Sequence, residues 1–533
     1  MNPEQCPLLY VPLKPQAFLC HWLLPGRRLR RNESEDLPVC NKVEKRRVSA
    51  VSRMRGIQFQ NMLYKILSFL HKLLGVLLCG LFFLWFSTGI VMIYHGFPRA
   101  SADKQLALLP PLVTVELPDT DILPEILANQ RDRTISARTF TPVEDTLEAT
   151  LRSWCTAPVA RIDTLKKLDQ WIPFGRNREE LPIYKYHFDD PERHQLYLGS
   201  KTGRVLQFTS HKERVWAWVG AIPHWVYFTK LRQEQQLWLN SVKWAAGIGC
   251  IMVILGFVLA IRVAVKSKKK AAPYKKKWYN WHYILGFSFG IFAITFAFSG
   301  MMSLADMPEF LKKAPKTEQR NGPPGGRRGE SRYLDPGLYT LDYRTALAAY
   351  PDTRTIAWSE FRGHPYYTLT ISPTERVFID AQADGVSPFV ITEDMVRLDM
   401  ERQYRDSIPY TVELIDEFDR DYHTRKVTET SLPVYRVIVD DYMHTRWYYN
   451  PVTLETRRFD DDTRTRNWLY HKLHTLDFKF LTDRPWLWNI VMYTLMIGGT
   501  ALSVTGIVLS VKWIVRGIRK LFRKKHIRPN NSI

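Results

Sequence analysis

The chain has 533 residues, of which 45% are hydrophobic, and a formal net charge of +22 at pH 7. It is too long for a single hydrophobic core. Three segments, 1–72, 262–278 and 512–533, contain 29 of the 75 basic residues but only 5 of the 53 acidic ones, so the remainder is nearly neutral. Because the excess positive charge is confined to segments that flank apolar stretches, it does not indicate a nucleic-acid-binding surface, and no nucleic-acid partner is expected.

Four apolar segments are each close to the ~20 residues that cross a bilayer. They cover roughly 73–94, 244–265, 281–304 and 486–511. Basic residues next to spans favour the cytoplasmic side, so both ends and the short middle loop are expected in the cytoplasm, with both large loops outside. The predicted fold class is an α-helical membrane protein, a four-TM bundle built from two helix–ectodomain–helix repeats with two periplasmic α+β domains.

The predicted boundaries, in chain order, are a basic cytoplasmic tail at 1–60, a span at 61–96, a periplasmic domain at 97–236, a span at 237–265, a basic loop at 266–278, a span at 279–304, a second periplasmic domain at 305–485, a span at 486–515 and a basic tail at 516–533. Residues 1–60 show no steady period, so we expect this tail to be disordered. The alternative is an upstream mis-start, with Met54 or Met62 as the true first residue. Alternating apolar and polar residues, as in 183–188 and 434–439, predict antiparallel strands in both domains.

Two sets of residues recur at fixed offsets along the chain. The pattern W-x5-H-x13-W-x17-G occurs twice, 250 residues apart, at Trp218, His224, Trp238 and Gly256 and again at Trp468, His474, Trp488 and Gly506. Upstream of each copy, and 211 residues apart, lie the matching sets His71, Gly75 and Gly89, and His282, Gly286 and Gly300. Self-similarity of this kind predicts a duplicated unit with one histidine near each end of its membrane part.

The six cysteines are consistent with a bacterial inner-membrane protein. Only Cys155 lies in a predicted periplasmic loop, so no disulfide is expected within either periplasmic domain. The chain has no CxxCH motif, which excludes covalently attached c-type haem, and no CxxC pair for zinc or an iron–sulfur cluster. No metal-ligand cluster or catalytic triad is expected in the two large loops.

The repeated histidines are the predicted ligands of two b-type haems. His71 and His282 are expected to bind one haem on the cytoplasmic side, and His224 and His474 a second on the outer side. Two histidines per iron leave no open coordination position, which favours electron transfer over oxygen chemistry. The alternative for the two cytoplasmic-side rings is snorkelling or a backbone hydrogen bond at the membrane boundary. The alternative ligands are His471 and His95.

Four glycines are predicted haem-packing positions, namely Gly75, Gly89, Gly286 and Gly300. On a helix, residues 4 and 18 positions after each histidine share its face, and a glycine there would leave room for a flat macrocycle. The alternative is that these small residues let helices pack closely in the membrane.

Several segments of the sequence resemble those of a known family. The run RNWLYHKLHTLDFKFLTDRPWLW at 466–488, shortly after YYNPVTLETRRF at 448–459, resembles the end of a PepSY domain entering its associated transmembrane helix. The segments 70–92 and 281–303 are similar to helix openings of that family. The resemblance covers about residues 62–518 and implies PepSY-like periplasmic domains. The family includes iron-regulated inner-membrane proteins and haem-carrying periplasmic ferric-siderophore reductases, so the resemblance implies ferric chelates as electron acceptors.

The electron donor and two rival functions stay open. The chain has no GxGxxG motif, so electrons would come from a cytoplasmic reductase or from quinol. One rival is a non-catalytic PepSY membrane protein that binds or regulates a peptidase, a peptide or a transporter. The other is a secondary transporter, which is less favoured because the spans carry no acidic residue at mid-depth.

Overall fold

The computed structural model describes residues 39–114, 133–136, 143–267, 270–313, 334–404, 408–423 and 431–526. Its contacts divide the chain into a first unit, residues 1–65, and a second, residues 66–533. The described part of the first unit, 39–65, is helical. All the sheets, and the four repeated histidines, belong to the second unit.

The first helix is α1, Val39–Met92. The elements that follow are α2 Ala102–Ala107, β1 Thr134–Ser136, α3 Val143–Trp154, β2 Val159–Leu165, β3 Ile183–Phe188, β4 Gln195–Gly199, β5 Val205–Thr209, α4 His211–Val219, α5 Ala221–Trp225 and α6 Thr229–Arg232. Two long helices come next, α7 Gln235–Lys266 and α8 Lys277–Leu304.

The second set of shorter elements lies between α8 and the last helix. It comprises α9 Tyr343–Ala349, β6 Thr355–Phe361, β7 His364–Ser372, β8 Glu375–Asp380, α10 Glu393–Tyr404, β9 Tyr410–Ile415, β10 Val434–Val439, β11 Arg446–Tyr449, β12 Thr456–Phe459, α11 Asp461–Asn467, a π-helical turn Trp468–Lys472 and α12 Lys479–Thr482. The last helix is α13, Pro485–His526. Within the described residues, 3-10 turns lie at Leu112–Thr114, Gly175–Glu180, Glu309–Leu311 and Pro336–Leu338.

Four described helices are long and apolar enough to cross a membrane. The qualifying segments are Gln58–Met92 in α1, Gln235–Lys266 in α7, Lys277–Leu304 in α8 and Pro485–Phe522 in α13. They confirm the four predicted spans. An apolar cluster joins side chains from all four helices, including Phe86, Met252, Phe296 and Met496. Burial of this cluster holds the helices together.

The structure differs from the prediction of a disordered tail at 1–60. Residues 1–38 lie outside the described residues, but α1 begins at Val39, so 39–60 are helical. This stretch contains no proline and only one glycine, Gly56, which is compatible with a continuous helix. The lack of a steady period was therefore a poor guide here, because many residues of 39–60 are good helix formers.

Three antiparallel four-stranded sheets lie between the spans. Their strand orders are β2-β3-β4-β5, β1-β6-β7-β8 and β12-β11-β10-β9. In the first sheet, Tyr184 pairs with Leu198, and in the third, Val437 pairs with Trp447. In β3, Ile183, Tyr186 and Phe188 are buried, as expected for a strand in contact with a core. The molecule is thus a helical membrane protein with α+β domains.

The middle sheet combines strands from both large loops. β1 comes from the first loop but pairs with β6 of the second, with Ile135 opposite Ile356. Leu112 and Ile135 are fully buried in a core whose other members, such as Leu369, come from the second loop. The two loops therefore share a sheet, whereas the predicted boundaries separate them into two domains. A strand of three residues is too short to give a pairing signal in the sequence.

Candidate functional site

Two of the repeated histidines lie side by side, and each is close in sequence to a basic segment. His71 on α1 and His282 on α8 have ring centroids 6.2 Å apart, with an angle of 42° between the rings. They are far apart in the sequence but form one of the two predicted ligand pairs. Helix packing in the bundle brings them together.

The other two histidines form a second pair at the end of the bundle that carries the sheets. His224 lies at the end of α5, and His474 follows the π-helical turn 468–472. Their ring centroids are 6.5 Å apart, and the rings are inclined by 66°. The structure therefore brings together the histidines of each predicted pair.

Each of the four rings lies against a glycine of a different helix. A Cβ atom added at Gly256 would lie 2.6 Å from Cε1 of His71, and at Gly506 it would lie 3.6 Å from Cε1 of His282. The corresponding distances are 3.5 Å from Gly89 to His224 and 3.4 Å from Gly300 to His474. Glycine is required most strictly at Gly256, because real Cβ atoms almost never approach another atom so closely.

The Nδ1 atoms of two rings donate to backbone carbonyl groups. His71 Nδ1 lies 3.0 Å from the Met252 carbonyl oxygen, and His224 Nδ1 lies 3.1 Å from that of Trp85. Each acceptor precedes the glycine under the ring by four residues, that is, by about one helical turn. A carbonyl can only accept, so both rings carry their proton on Nδ1.

Nδ1 also meets a side-chain hydroxyl in three of the rings. His224 Nδ1, besides its carbonyl contact, lies 3.3 Å from Thr88 Oγ1. His282 Nδ1 lies 2.9 Å from Thr505 Oγ1, and His474 Nδ1 lies 3.1 Å from Ser299 Oγ. Each hydroxyl belongs to the residue directly before the glycine under the ring and donates its own proton to a helix carbonyl. The hydroxyl oxygens therefore accept from Nδ1–H. Among the described residues, no hydrogen bond involves Nε2 of any of the four rings.

Local sequence explains how the second pair is positioned. Ser210 and Asp460, which are 250 residues apart, each form a capping box at the start of the helix that leads to the histidine. After the histidine, the backbone turns through a left-handed residue, Val226 (φ 55°) or Leu476 (φ 52°). This turn ends each short helix and lets the chain enter the next span.

The second tryptophan of each repeat explains part of the spacing that the two repeats share. Trp238 Nε1 donates to the Trp225 carbonyl (2.8 Å), and Trp488 Nε1 donates to the Thr475 carbonyl (2.9 Å). Each acceptor belongs to the residue directly after the histidine. The first turn of α7 or α13 is thereby joined to the segment that carries the ring.

Two predicted packing glycines lie away from the rings. The nearest atoms to an added Cβ at Gly75 and Gly286 are Ser510 Oγ (3.9 Å) and Leu502 Cδ1 (3.7 Å), both on α13. The glycines that do contact rings are Gly89 and Gly300, which were predicted, and Gly256 and Gly506, which were not. The missed pair stands in the repeated W-x5-H-x13-W-x17-G pattern, so the signal was present, but the partner helix could not be deduced from it.

The two alternative ligands lie outside the histidine pairs. His95 stacks on Trp216, with ring centroids 4.3 Å apart and 9° between the planes. His471 is exposed and lies beside Tyr470 at 4.7 Å. Tyr470 also stacks on His474 at 5.6 Å. The geometry therefore favours His474 over His471 as the partner of His224.

Aromatic rings extend from the second pair into the bundle. The Phe296 ring centroid is 5.9 Å from that of His474 and 6.1 Å from that of Phe86, which is 6.3 Å from that of Phe82. All three phenylalanines are buried in the apolar cluster shared by the spans. The interior between the histidine pairs is thus packed with apolar rings.

A mixed group of possible metal ligands lies in the first loop, where the sequence predicts none. One atom from each of Cys155, Asp190 and His194 lies within 4.8 Å of the others. His194 Nδ1 is 2.7 Å from Asp190 Oδ2, and its ring stacks on Phe208. Burial raises the pKa of Asp190, but the hydrogen bonds from His194 outweigh it and leave the pKa below its usual value. These contacts show that Asp190 and His194 belong to one hydrogen-bonded turn, which explains why the two side chains lie together.

The fold defines a four-span membrane protein with sheet domains between the spans. The sequence model described as the PepSY-associated TM region matches residues 68–516. The chain therefore belongs to the PepSY-associated transmembrane family. No match to a curated protein reaches significance.

Proposed function

We propose that this protein carries electrons across a bacterial inner membrane on two b-type haems and delivers them to ferric chelates, such as siderophores, in the periplasm. One haem would be bound by His71 and His282, and the other by His224 and His474. The chain would be built from two helix–ectodomain–helix repeats, with the sheet domains in the periplasm and both ends in the cytoplasm. The acceptor class follows from the resemblance to ferric-siderophore reductases.

The spacing of the rings within both pairs carries the proposal. An iron held by two imidazole nitrogens, at about 2 Å from each, separates the ring centroids by roughly 6 Å. The ring centroids here are 6.2 and 6.5 Å apart. Close packing of two unliganded histidines would not require the same spacing at both ends of the bundle.

The donor set also fits a b-type haem. Nδ1–H of each ring is directed to a carbonyl or hydroxyl oxygen, so Nε2 is the unprotonated nitrogen. Metal-bound histidines commonly donate their other N–H to such an acceptor, which orients the ring and raises its basicity. A glycine against every ring removes the side chain that would compete for space next to it. No CxxCH motif is present, which agrees with non-covalent attachment.

Haem supplies reversible one-electron chemistry when it is bound. The residues of the chain would provide two further functions. The carbonyls of Met252 and Trp85 and the hydroxyls of Ser299 and Thr505 hold the rings in one orientation. The apolar cluster around Phe86 and the other buried phenylalanines excludes water from the space between the pairs.

The distance along the bundle requires two sites rather than one. The 18 residues from His71 to Gly89, which contacts His224, rise about 27 Å on a helix. A single site would leave most of the membrane to be crossed in one step. Sites at both ends would let electrons from a cytoplasmic reductase or quinol reach the sheet-bearing end.

The proposed periplasmic orientation is based on the distribution of charge. The proposed acceptor site is based on exposed aromatic side chains. The basic segments flank the ends of the spans opposite the sheets, as expected for cytoplasmic segments. Trp218 and Trp468 lie close in sequence to His224 and His474 and are 51% and 53% exposed. Such rings offer a surface on which a ferric chelate could dock near the second haem.

Absorption spectroscopy of the full-length protein tests the proposal. The protein should be purified after expression with sufficient haem supply and recorded before and after dithionite. We expect a Soret band that shifts on reduction, and oxidation of the reduced protein when a ferric siderophore is added. Colourless protein would contradict the proposal and favour the non-catalytic binding or regulatory function. Haem that is reduced but not oxidised by ferric chelates would contradict only the proposed acceptor.

A further inference from the structure

A groove with several basic side chains lies at the basic end of the bundle, between the start of α8 and the end part of α13. Its volume is about 480 Å³. The residues that line this basic groove are Lys276, Trp278 and Tyr279 on one side and Val511, Lys512, Val515, Arg516 and Arg519 on the other. None of the proposed electron-transfer steps uses it.

The basic side chains of α13 point to the same side of the helix. Residues 512, 516 and 519 follow each other by four and three positions, so they share one helix face. Lys512 Nζ lies 5.3 Å from the centre of the Trp278 ring, and Arg516 Nη2 donates to Tyr279 Oη at 3.2 Å. Contacts with the start of α8 therefore hold these cations at the groove.

The charge of the groove is uncompensated. Four cations line it and no acidic side chain does. Among the described residues, none of the three cations on α13 is within ion-pair distance of a carboxylate. Like charges gathered in one groove repel each other, and a bound anion would remove this cost.

The position of the groove indicates the kind of anion. The apolar segments of α8 and α13 end beside it, near residues 281 and 511, so it lies at the depth of lipid headgroups. Val511 and Val515 line the side that continues into the span, where acyl chains would lie. Tryptophan is typical of this boundary, and basic pockets between transmembrane helices bind anionic headgroups.

We propose that the basic groove binds the phosphate diester of an anionic phospholipid, with the acyl chains along Val511 and Val515. Arg516 and Arg519 would contact the phosphate oxygens, since a guanidinium group matches their geometry. A free phosphate or a phosphate-bearing nucleotide shares the same chemistry but has no acyl chain to contact the apolar side of the groove. The proposal does not depend on haem.

Native mass spectrometry of the full-length protein in detergent, titrated with phosphatidylglycerol or phosphatidylcholine, tests the proposal. The double variant Arg516→Gln/Arg519→Gln removes two charges from the groove. A matched control, Lys266→Gln/Lys275→Gln, removes two charges at the same end of the bundle but outside the groove. We expect the groove variant to bind phosphatidylglycerol about 10- to 30-fold more weakly, with the control within about twofold of the parent. Phosphatidylcholine should bind weakly to all three proteins.

Three results would overturn the proposal. Equal weakening in the groove variant and the control would indicate general attraction to a basic surface. Unchanged phosphatidylglycerol binding in the groove variant would place the lipid elsewhere. Displacement of phosphatidylglycerol by millimolar inorganic phosphate would identify a free phosphate as the occupant. If the double variant fails to give a monodisperse protein, Lys512→Gln replaces it and should weaken binding in the same direction.

Discussion

Gly256 lies directly against the imidazole of His71, although the two residues belong to different helices. A methyl group at Gly256 would lie 2.6 Å from Cε1 and 3.1 Å from Nδ1 of the ring. Nδ1 is held by the Met252 carbonyl of the same helix, so the ring cannot move away without losing that hydrogen bond. We therefore expect Gly256→Ala to displace His71 and to remove one of the two proposed haems, as measured by the haem-to-protein ratio.

Two other glycine substitutions serve as controls. An added Cβ at Gly506 would meet Cys79 and His282 at 3.5 and 3.6 Å, which are ordinary contact distances, so Gly506→Ala should keep both haems. Gly80 has no atom within 4 Å of an added Cβ, and Gly80→Ala should also keep both. If Gly256→Ala retains as much haem as these two variants, the contact does not determine the position of the ring.

The histidine pairs could be predicted from the sequence because the repeat offsets relate equivalent positions. The residues that pack against each ring could not be predicted in this way. A helical pattern places Gly89 on the face of His71, yet in the bundle Gly89 contacts His224, which enters from a neighbouring segment. Sequence periodicity describes one helix at a time, whereas the partner of a residue depends on how helices pack.

The fold likewise has features that the sequence could predict and features that it could not. Alternating residues correctly indicated strands at β3 and β10, each of which has three buried side chains. The pairing of β1 with β6 joins residues more than 200 positions apart, and nothing in the periodicity of either segment specifies that partner. The group of Cys155, Asp190 and His194 was also missed, because Cys155 is distant in sequence from the turn that holds the other two residues.

The shared sheet predicts that a change in the first loop destabilises the second. Ile135 is fully buried against residues of the second loop, so Ile135→Ala should cost roughly 2–5 kcal/mol there. Amide exchange should become faster in β6 and β7, as measured by hydrogen–deuterium exchange. Ile162→Ala is the control, since Ile162 is 55% exposed on β2. Exchange that changes only within the first loop would show that β1 does not support the middle sheet.

The hydroxyl of Thr505 predicts a change in redox potential without loss of haem. Thr505 Oγ1 accepts a hydrogen bond from His282 Nδ1–H, which makes the ring a stronger electron donor. Thr505→Val should therefore raise the midpoint potential of one haem and leave that of the other unchanged. Thr505→Ser keeps the hydroxyl, so its potentials should equal those of the parent protein. Thr500→Val is the matched control, because Thr500 donates to the Met496 carbonyl. Equal shifts in both variants would attribute the effect to general packing.

A partly buried hydrogen bond between His187 and Asp163 predicts that the first sheet weakens in acid. His187 Nε2 lies 2.8 Å from Asp163 Oδ2. Burial lowers the pKa of His187, partly offset by Asp163, whereas hydrogen bonds from His187 and Arg161 outweigh burial and lower the pKa of Asp163. Both folded pKa values lie below the unfolded ones, so this stability is present at neutral pH. The histidine contribution is lost as pH falls below about 6.5, and that of the carboxylate below about 4.

Amide exchange in β2 and β3, corrected for its intrinsic pH dependence, measures this effect. Protection should fall between pH 7 and pH 5 in the parent protein. It should fall less in His187→Gln, which cannot titrate. A fall of the same size in both proteins would assign the acid sensitivity to other groups.

The haem content of paired histidine variants tests the central claim most directly. Haem should be counted per chain in the single variants His71→Ala, His282→Ala, His224→Ala and His474→Ala, and in three double variants. Each single variant should keep one haem. The within-pair doubles, His71→Ala/His282→Ala and His224→Ala/His474→Ala, should also keep one, whereas the cross-pair double His71→Ala/His474→Ala should keep none. If a within-pair double lost both haems or the cross-pair double kept one, the pairing proposed for the four histidines would be contradicted.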